Sequence, residues 1–407
     1  MPAENPPMIT SKRGLEQLVA RALETDAVAV DTEFVWERTY YPRLGLIQLA
    51  LSEDDFALLD PVAMEDLSPL GELLSSSDTV KILHDAPQDL MILHRATGAP
   101  PARIFDTRCA AGFCGLSATL SLANLLEEML NVSLPKTQTR TNWLKRPLTP
   151  AQLSYAVDDV RYLPEIRHLL LERVAEMDRE PWLRDEMQTL EHESVYTMPD
   201  PRRQFRRIKG HGRLSPPDLA VLRELAAWRE EEARRRDRPR GHIVPDGALL
   251  ALARSKPLDS RHLQPSRNLS AKAIKRHEKP LLEAVARGVN VPLDKRPSLP
   301  SPPADPKEAR VRADLALSVV RATCLAARLD VSLVATRAEV EALVATPAGN
   351  GPKASRLLSG WRRELVGEKL LRILNGEATV RIDSQTGLPR TEQHAPHSRA
   401  PQNQDGP

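Results

Sequence analysis

Short apolar runs alternate with segments of helical period through the first half of the chain. Ala27–Val30 is apolar and ends in Asp31-Thr32-Glu33. A second run, Leu44–Leu51, follows a polar and aromatic excursion, and Phe56–Leu59 comes soon after. Short runs of this kind read as strands, and the few residues between them predict antiparallel neighbours. Val80–His84 and Arg103–Asp106 give two further strands. Between them the pattern predicts helices. Residues 11–23 place Leu15, Leu18, Val19 and Leu23 on one face, and Leu67–Leu74 is a short helix. Pro87 suits a first helical position, with Gln88–Arg95 continuing. Leu116–Leu130 and Pro150–Leu171 are helical, the latter bent or divided at Pro164. Strands with helices between and after them predict an α/β domain over residues 1–195.

The pattern then changes. Residues 196–213 contain TMPDPRRQFRRIKGHGR, which reads as a basic linker around one aromatic, Phe205. Residues 214–290 are helical throughout, with Leu219, Leu222, Leu225 and Trp228 in a stripe and breaks at Pro239 and Pro257. Short connections make this a small bundle. Residues 291–307 are proline-rich and predict a stiff linker. Residues 308–382 return to helix, ending in the basic, amphipathic WRRELVGEKLLRIL, and 383–407 form a polar tail expected to be disordered.

Composition narrows the class only a little. A chain of 407 residues predicts two or three domains, and 41% hydrophobic residues suffice for proper cores. A net charge of +2 makes the distribution of basic residues more informative than their sum. Three cysteines, Cys109, Cys114 and Cys324, with no C-x-x-C pairing, point to a reducing compartment. With no secretory pattern at the start and no long apolar stretch, a soluble, cytoplasmic and monomeric protein is expected.

The chemistry lies in the carboxylates. Asp31 and Glu33, two apart on a strand, share a face. Acids that close repel unless a cation, a proton or a basic group intervenes. Asp89 lies in the first turn after the Val80–His84 strand, and Asp159 follows Tyr155 by one helical turn. Gathered in one cleft, these acids offer hard oxygen ligands for Mg²⁺ or Mn²⁺. A pair of such ions can serve an in-line displacement at phosphorus, with Tyr155 positioning the water more readily than accepting its proton.

These motifs, D-x-E in VAVDTEF, the aspartate of LHDAPQDL and Y-x-x-x-D in YAVDD, resemble the ribonuclease D family of the DEDD exonucleases, in its tyrosine-containing subgroup. The resemblance runs from residue 20 to 172. It implies a ribonuclease-H-like α/β domain in which Asp31, Glu33, Asp89 and Asp159 bind two divalent metal ions and Tyr155 helps position the nucleophile. It also implies a 3′–5′ exoribonuclease releasing nucleoside 5′-monophosphates from RNA with a single-stranded 3′ end, transfer RNA precursors above all. Residues 214–290, through LRELAAWREEEARRRDRPRGHIVPDGALLALARSKP, resemble an HRDC domain, and 308–382 a looser second copy. The rival readings are a DNA 3′–5′ exonuclease and a nucleic-acid-binding protein without chemistry.

Other residues keep two readings. Phe34, Trp36 and Tyr40 could stack on terminal bases or pack internally. Arg38 and Arg43 could meet phosphates or solvent. The cluster Arg202–Arg213 could track an RNA backbone or be a solvated linker. Asp85 and Asp158 read as bystanders, His84 as a packed histidine, and Arg362, Arg363 and Lys369 as solvated. Gln48 is left unassigned.

Overall fold

The first apolar runs build a six-stranded mixed sheet. In the computed structural model, which describes residues 6–134, 141–265, 269–298, 305–345 and 355–393, the strands are β1 (Met8–Ile9), β2 (Ala27–Val35), β3 (Arg43–Ala50), β4 (Phe56–Leu59), β5 (Val80–Leu83) and β6 (Ile104–Asp106). Their order is β1-β4-β3-β2-β5-β6, with β3 antiparallel to both β2 and β4 as expected, and β5 parallel to β2. The order turns back at β2, and the carboxyl end of a strand at such a switch point is where open α/β sheets bind their ligands. The helices of this half are α1 (Lys12–Leu23), α2 (Ser68–Ser75), α3 (Pro87–Thr97), α4 (Thr107–Phe113), α5 (Leu122–Leu130), α6 (Pro150–Asp158), α7 (Leu163–Glu176), α8 (Glu180–Leu190) and α9 (Glu193–Tyr196).

Side-chain alternation sorts the sheet into two faces. Val28, Val30, Ile47, Leu49, Ala57 and Leu59 pack with Leu15, Leu18, Leu70, Leu73, Leu90 and Leu93 of α1, α2 and α3. On the other face Leu46 and Leu58 pack with Trp143, Leu148, Ala156 and Val157, around α6. The first strand does not stop at Val30. It continues to Val35 because β3 pairs with it as far as Arg43, so Asp31 and Glu33 sit within a strand and not at its end. β3 bulges at Gly45, since Glu33 faces Leu46 and Phe34 faces Leu44. A Cβ on Gly45 would fall 2.7 Å from the Trp143 carbonyl oxygen, so only glycine lets this loop lie against the sheet.

One helix differs from expectation, and another divides as expected. The predicted helix over 116–130 begins at Leu122, where Ser121 caps it by accepting from the Asn124 amide, and α4 occupies a stretch with no sequence signal. The predicted helix over 150–171 is divided into α6 and α7, and Pro164 stands in the first turn of α7, where its missing N–H costs nothing.

The helices α10 (Pro216–Arg236), α11 (Arg240–Ile243), α12 (Asp246–Ser255) and α13 (Ala271–Val289) form the first all-helical module. α10 and α13 cross so closely that a Cβ on Gly288 would lie 2.4 Å from the Val221 Cα. The basic stretch 196–213 differs from the expected linker. It folds into tight turns at Pro201–Arg207 and His211–Arg213, and Phe205 and Ile208 are 4% and 1% exposed in the same core as Leu219, Leu222 and Trp228. Spaced three apart, these apolar residues point inward while Arg202, Arg203, Arg206 and Arg207 stay in solvent. Tyr40, from the loop after β2, joins this core. Its hydroxyl donates to Glu230, and the Asp237 carboxylate accepts the Tyr40 and Tyr41 amides, both at 3.0 Å.

The chain divides into two units. One comprises residues 1–106, 133–167 and 187–300; the other comprises 107–132, 168–186 and 301–407. The second unit thus takes in segments that the sequence assigned to the α/β domain. It adds α14 (Pro306–Ala326), α15 (Val331–Val334), α16 (Arg337–Ala345), α17 (Gly360–Arg362) and α18 (Glu368–Leu374). Within it Trp361 stacks on Trp182 at 5.3 Å and meets Phe113 edge-on at 5.3 Å, which explains the membership of the two inserted segments. Arg362, expected in solvent, is 6% exposed, and its guanidinium lies over Trp361 and 2.7 Å from Glu186. The proline-rich stretch 291–307 includes a tight turn at Leu293–Lys295 and the start of α14; its residues 299–304 lie outside the described residues. The stretch expected to be helical as far as 382 ends instead in β7 (Ala378–Ile382), which forms a hairpin with β8 (Pro389–Gln393) of the expected tail, because the turn between them is closed by the Asp383 carboxylate accepting the Gln385 and Thr386 amides at 2.9 Å. Residues 394–407 lie outside the described residues.

The packing of Phe205 is open to a direct test. Phe205→Ala should destabilise the protein by about 3–5 kcal/mol, whereas Arg203→Ala, two residues away in solvent, should stay within about 0.5 kcal/mol. Denaturant unfolding of both variants distinguishes a packed segment from a linker, for which the two would match.

Candidate active site

Strand geometry sets Asp31 and Glu33 side by side, and the α6 end of the chain brings the third acid to them. α6 is fixed at its start by Thr149, whose hydroxyl accepts from the Gln152 amide at 3.3 Å while the Gln152 side chain accepts the Thr149 amide at 3.0 Å. The loop before it is pinned by Arg146, which donates to Asp60 at 2.6 Å and to the Gly45 carbonyl at 2.7 Å. Asp159 follows the last turn of α6, and Asp31, Glu33 and Asp159 each place a carboxylate oxygen within 4.8 Å of the others. Tyr155 stands near enough to Asp159 for the two to act on each other electrostatically, and the Tyr155 ring lies 6.1 Å from that of Trp143.

Asp89 arrives from the opposite face of the sheet. β5 pairs with β2 only along Ala27–Ala29, which leaves the later part of β2 open to the first turn of α3. Asp89 is 8% exposed, and its carboxylate accepts from the hydroxyl of Thr32, the residue between Asp31 and Glu33. The loop leading into α3 is ordered by Asp106, whose carboxylate accepts the Ala86 amide at 2.9 Å. Asp89 stands outside the close trio but near enough to act electrostatically on Asp31, Glu33 and Asp159.

The electrostatics are those of crowded acids, Asp89 buried and Asp31, Glu33 and Asp159 half-buried. Burial first, then Asp89, Asp159 and Glu33, push Asp31 well above the usual carboxylate range. Burial, with Asp159 and Asp89, pushes Glu33 up to about 9. Burial raises Asp89 to about 7 against the hydrogen bond from Thr32, and raises Asp159 to about 7 against the neighbouring Tyr155. Burial and the surrounding carboxylates raise Tyr155 far above a free phenol, so it holds its proton at neutral pH. An all-oxygen set carrying several acids suits a hard divalent cation, which would restore their charge.

The other candidates separate. Tyr40 is 4% exposed inside the helical core and is no platform for bases. Trp36 is 46% exposed, with its indole N–H donating to the Tyr40 carbonyl at 2.8 Å, and Arg38 and Arg43 are exposed. Asp85 is exposed in a left-handed conformation at φ 68°, and Asp158 is half-buried beside Arg161. Thr32, Asp106, Asp60 and Arg146 have no motif of their own. Gln48 did carry a signal, as the polar residue within LIQLA. It pairs directly across from Asp31, it is 0% exposed, and neither polar atom of its side chain has a partner among the described residues. A buried polar group left so costs about 1–3 kcal/mol.

Residues 6–175 match a family described as 3′-5′ exonuclease, and residues 218–285 match the HRDC domain. A ribonuclease D of Desulfotalea psychrophila is 41% identical over 365 residues, covering 88% of this chain and 96% of that protein. One of Pseudomonas paraeruginosa is 35% identical over 349 residues, covering 85% and 92%. The crystal structure of Escherichia coli RNase D, described as an exoribonuclease involved in structured RNA processing, superposes with a TM-score of 0.80 at 33% identity, over 92% of this chain and 99% of that one.

The raised acids have a consequence for stability. Their neutral forms are favoured in the fold, so between the ordinary carboxylate range and about pH 9 the folded protein binds more protons than the unfolded chain. In chelator the melting temperature should therefore fall as pH rises through that window. Glu33→Gln should flatten the fall, as should saturating Mn²⁺ in the parent; an unchanged slope in the variant would contradict the assigned electrostatics.

Proposed function

The chain belongs to the ribonuclease D family, and from that membership we propose that its carboxylate cluster releases nucleoside 5′-monophosphates one by one from the 3′ ends of RNA, with precursors of transfer RNA as substrates. As a family member it is a hydrolase of the 3′–5′ exoribonuclease type. The observation that carries the finer reading is the convergence of Asp31, Glu33 and Asp159 within 4.8 Å, with Asp89 reaching the same end of β2 from the other face.

Asp31, Glu33, Asp89 and Asp159 would hold two divalent ions, Mg²⁺ or Mn²⁺. Such ions, when bound, supply a water activated at neutral pH and charge to stabilise the leaving 3′ oxygen. The chain's own residues do the positioning. Thr32 and Asp106 fix the approach of Asp89, and Arg146 and the Thr149 cap fix that of Asp159. Tyr155 keeps its proton beside Asp159, so it suits orientation of a nucleophile and not its deprotonation. Trp36 and Arg38, exposed in the loop after β2, suit stacking on a terminal base and contact with its phosphate. Arg202, Arg203, Arg206, Arg207, Lys209 and Arg213 are exposed along one folded segment and suit sequence-independent contact with an RNA backbone.

Among the described residues no helix is long and apolar enough to cross a membrane, and Cys109, Cys114 and Cys324 are in no disulfide. A cytoplasmic site of action agrees with both.

Incubation of the protein with a 5′-labelled RNA single strand and Mg²⁺ should yield a ladder shortening one nucleotide at a time from the 3′ end, abolished by chelator. DNA of the same sequence cut faster than RNA would overturn the assignment of substrate. Asp31→Asn should abolish the release of mononucleotides while RNA binding stays near that of the parent. Tyr155→Phe should lower kcat by about a hundredfold with little change in KM, the loss expected from a misplaced nucleophile.

A further inference from the structure

Gln48 is the one wholly buried carboxamide on the catalytic face of β3 (Leu46, Gln48, Ala50). Its register partner on β2 is Asp31, and its register partner on β4 is Leu58. The buried hydrophobic residues on this side of the sheet include Leu46, Leu58, Ala156 and Val157. A leucine or methionine would fill this position without leaving a polar atom unpaired. Glutamine instead leaves both Oε1 and Nε2 without partners among the described residues. Buried polar groups are nearly always paired, and exceptions concentrate where a group serves a functional state.

Directly opposed residues on antiparallel strands have Cβ atoms about 4.5–5.5 Å apart, within reach of a carboxamide and a carboxylate. Of the two register partners only Asp31 offers an acceptor. We infer that Gln48 is a positioning residue of the exonuclease site: its Nε2 donates to the Asp31 carboxylate when that carboxylate carries a divalent cation, and holds the ligand oxygens in one orientation. The inference rests on the proposed role of Asp31 as a metal ligand. It names a residue outside the carboxylate and tyrosine motifs. Groups that orient a metal ligand in this way govern affinity for the ion as well as rate. In the ion-free protein the carboxamide only costs stability, so its functional and structural contributions have opposite signs.

That opposition gives the test. Gln48→Met and Gln48→Leu are made in the full chain, and each is measured in chelator for melting temperature, by calorimetry for Mn²⁺ binding, and for exonuclease rate at limiting and excess Mn²⁺. Melting temperatures equal to or above the parent's are expected, with Mn²⁺ affinity weakened about tenfold or more. The rate should fall at limiting Mn²⁺ and recover in part with excess. Affinity within about twofold of the parent, or a lowered melting temperature in chelator, would overturn the inference, the second by showing a purely structural role. Asp31→Asn is the control. If it binds Mn²⁺ like the parent, the metal reading of the cluster fails and takes this inference with it. If it does not, and Gln48→Met binds like the parent, only the role of Gln48 fails.

Discussion

Like charge held in a confined, poorly solvated space is the constraint on which the rest depends. Asp31, Glu33 and Asp159 cannot all ionise at that separation without a cation among them, and Asp89 adds to the load. The fold holds them there regardless, through the pairing of β2 with β3, the cap on α6 and the Arg146 anchor to Asp60, just after β4, and to β3. A structure that spends stability to keep acids together is one in which their joint charge is used. The family's hydrolytic chemistry is the use that fits an all-oxygen set.

The site is assembled from both faces of one sheet. α6 delivers Asp159 from one side, and α3 delivers Asp89 from the other, around a strand that outruns its neighbour β5. Thr32 points away from Asp31 and Glu33 and yet serves them, because its hydroxyl restrains the acid that comes over the strand. The three-residue motif therefore acts on both sides of the sheet at once.

How much of this was legible from the sequence depended on the range of the interactions involved. The strand alternation of Asp31 and Glu33, the Pro87 helix start and the one-turn spacing of Tyr155 and Asp159 are local, and the structure reproduces each of them. Phe205, in an arginine-rich stretch, read as part of a linker because its burial comes from helices that follow it in the chain. Arg362 misled for the same reason, since Glu186 lies far away in sequence, and Tyr40 kept two readings because Glu230 is as distant. Gln48 could be noticed but not interpreted, because its meaning lies in the register that sets it opposite Asp31.

The order in which the chain fills its two units bears on protein quality control. The polypeptide passes from one unit to the other repeatedly, so no single cut separates them. A chain broken off near residue 195 would keep Phe113 and Trp182 but lose Trp361, which packs against both, and would keep Tyr40 but lose Glu230 and Asp237, which hold it. Such a fragment exposes aromatic surface of the kind that chaperones and proteases recognise. An incompletely synthesised copy would thus differ from a finished one in what it leaves uncovered.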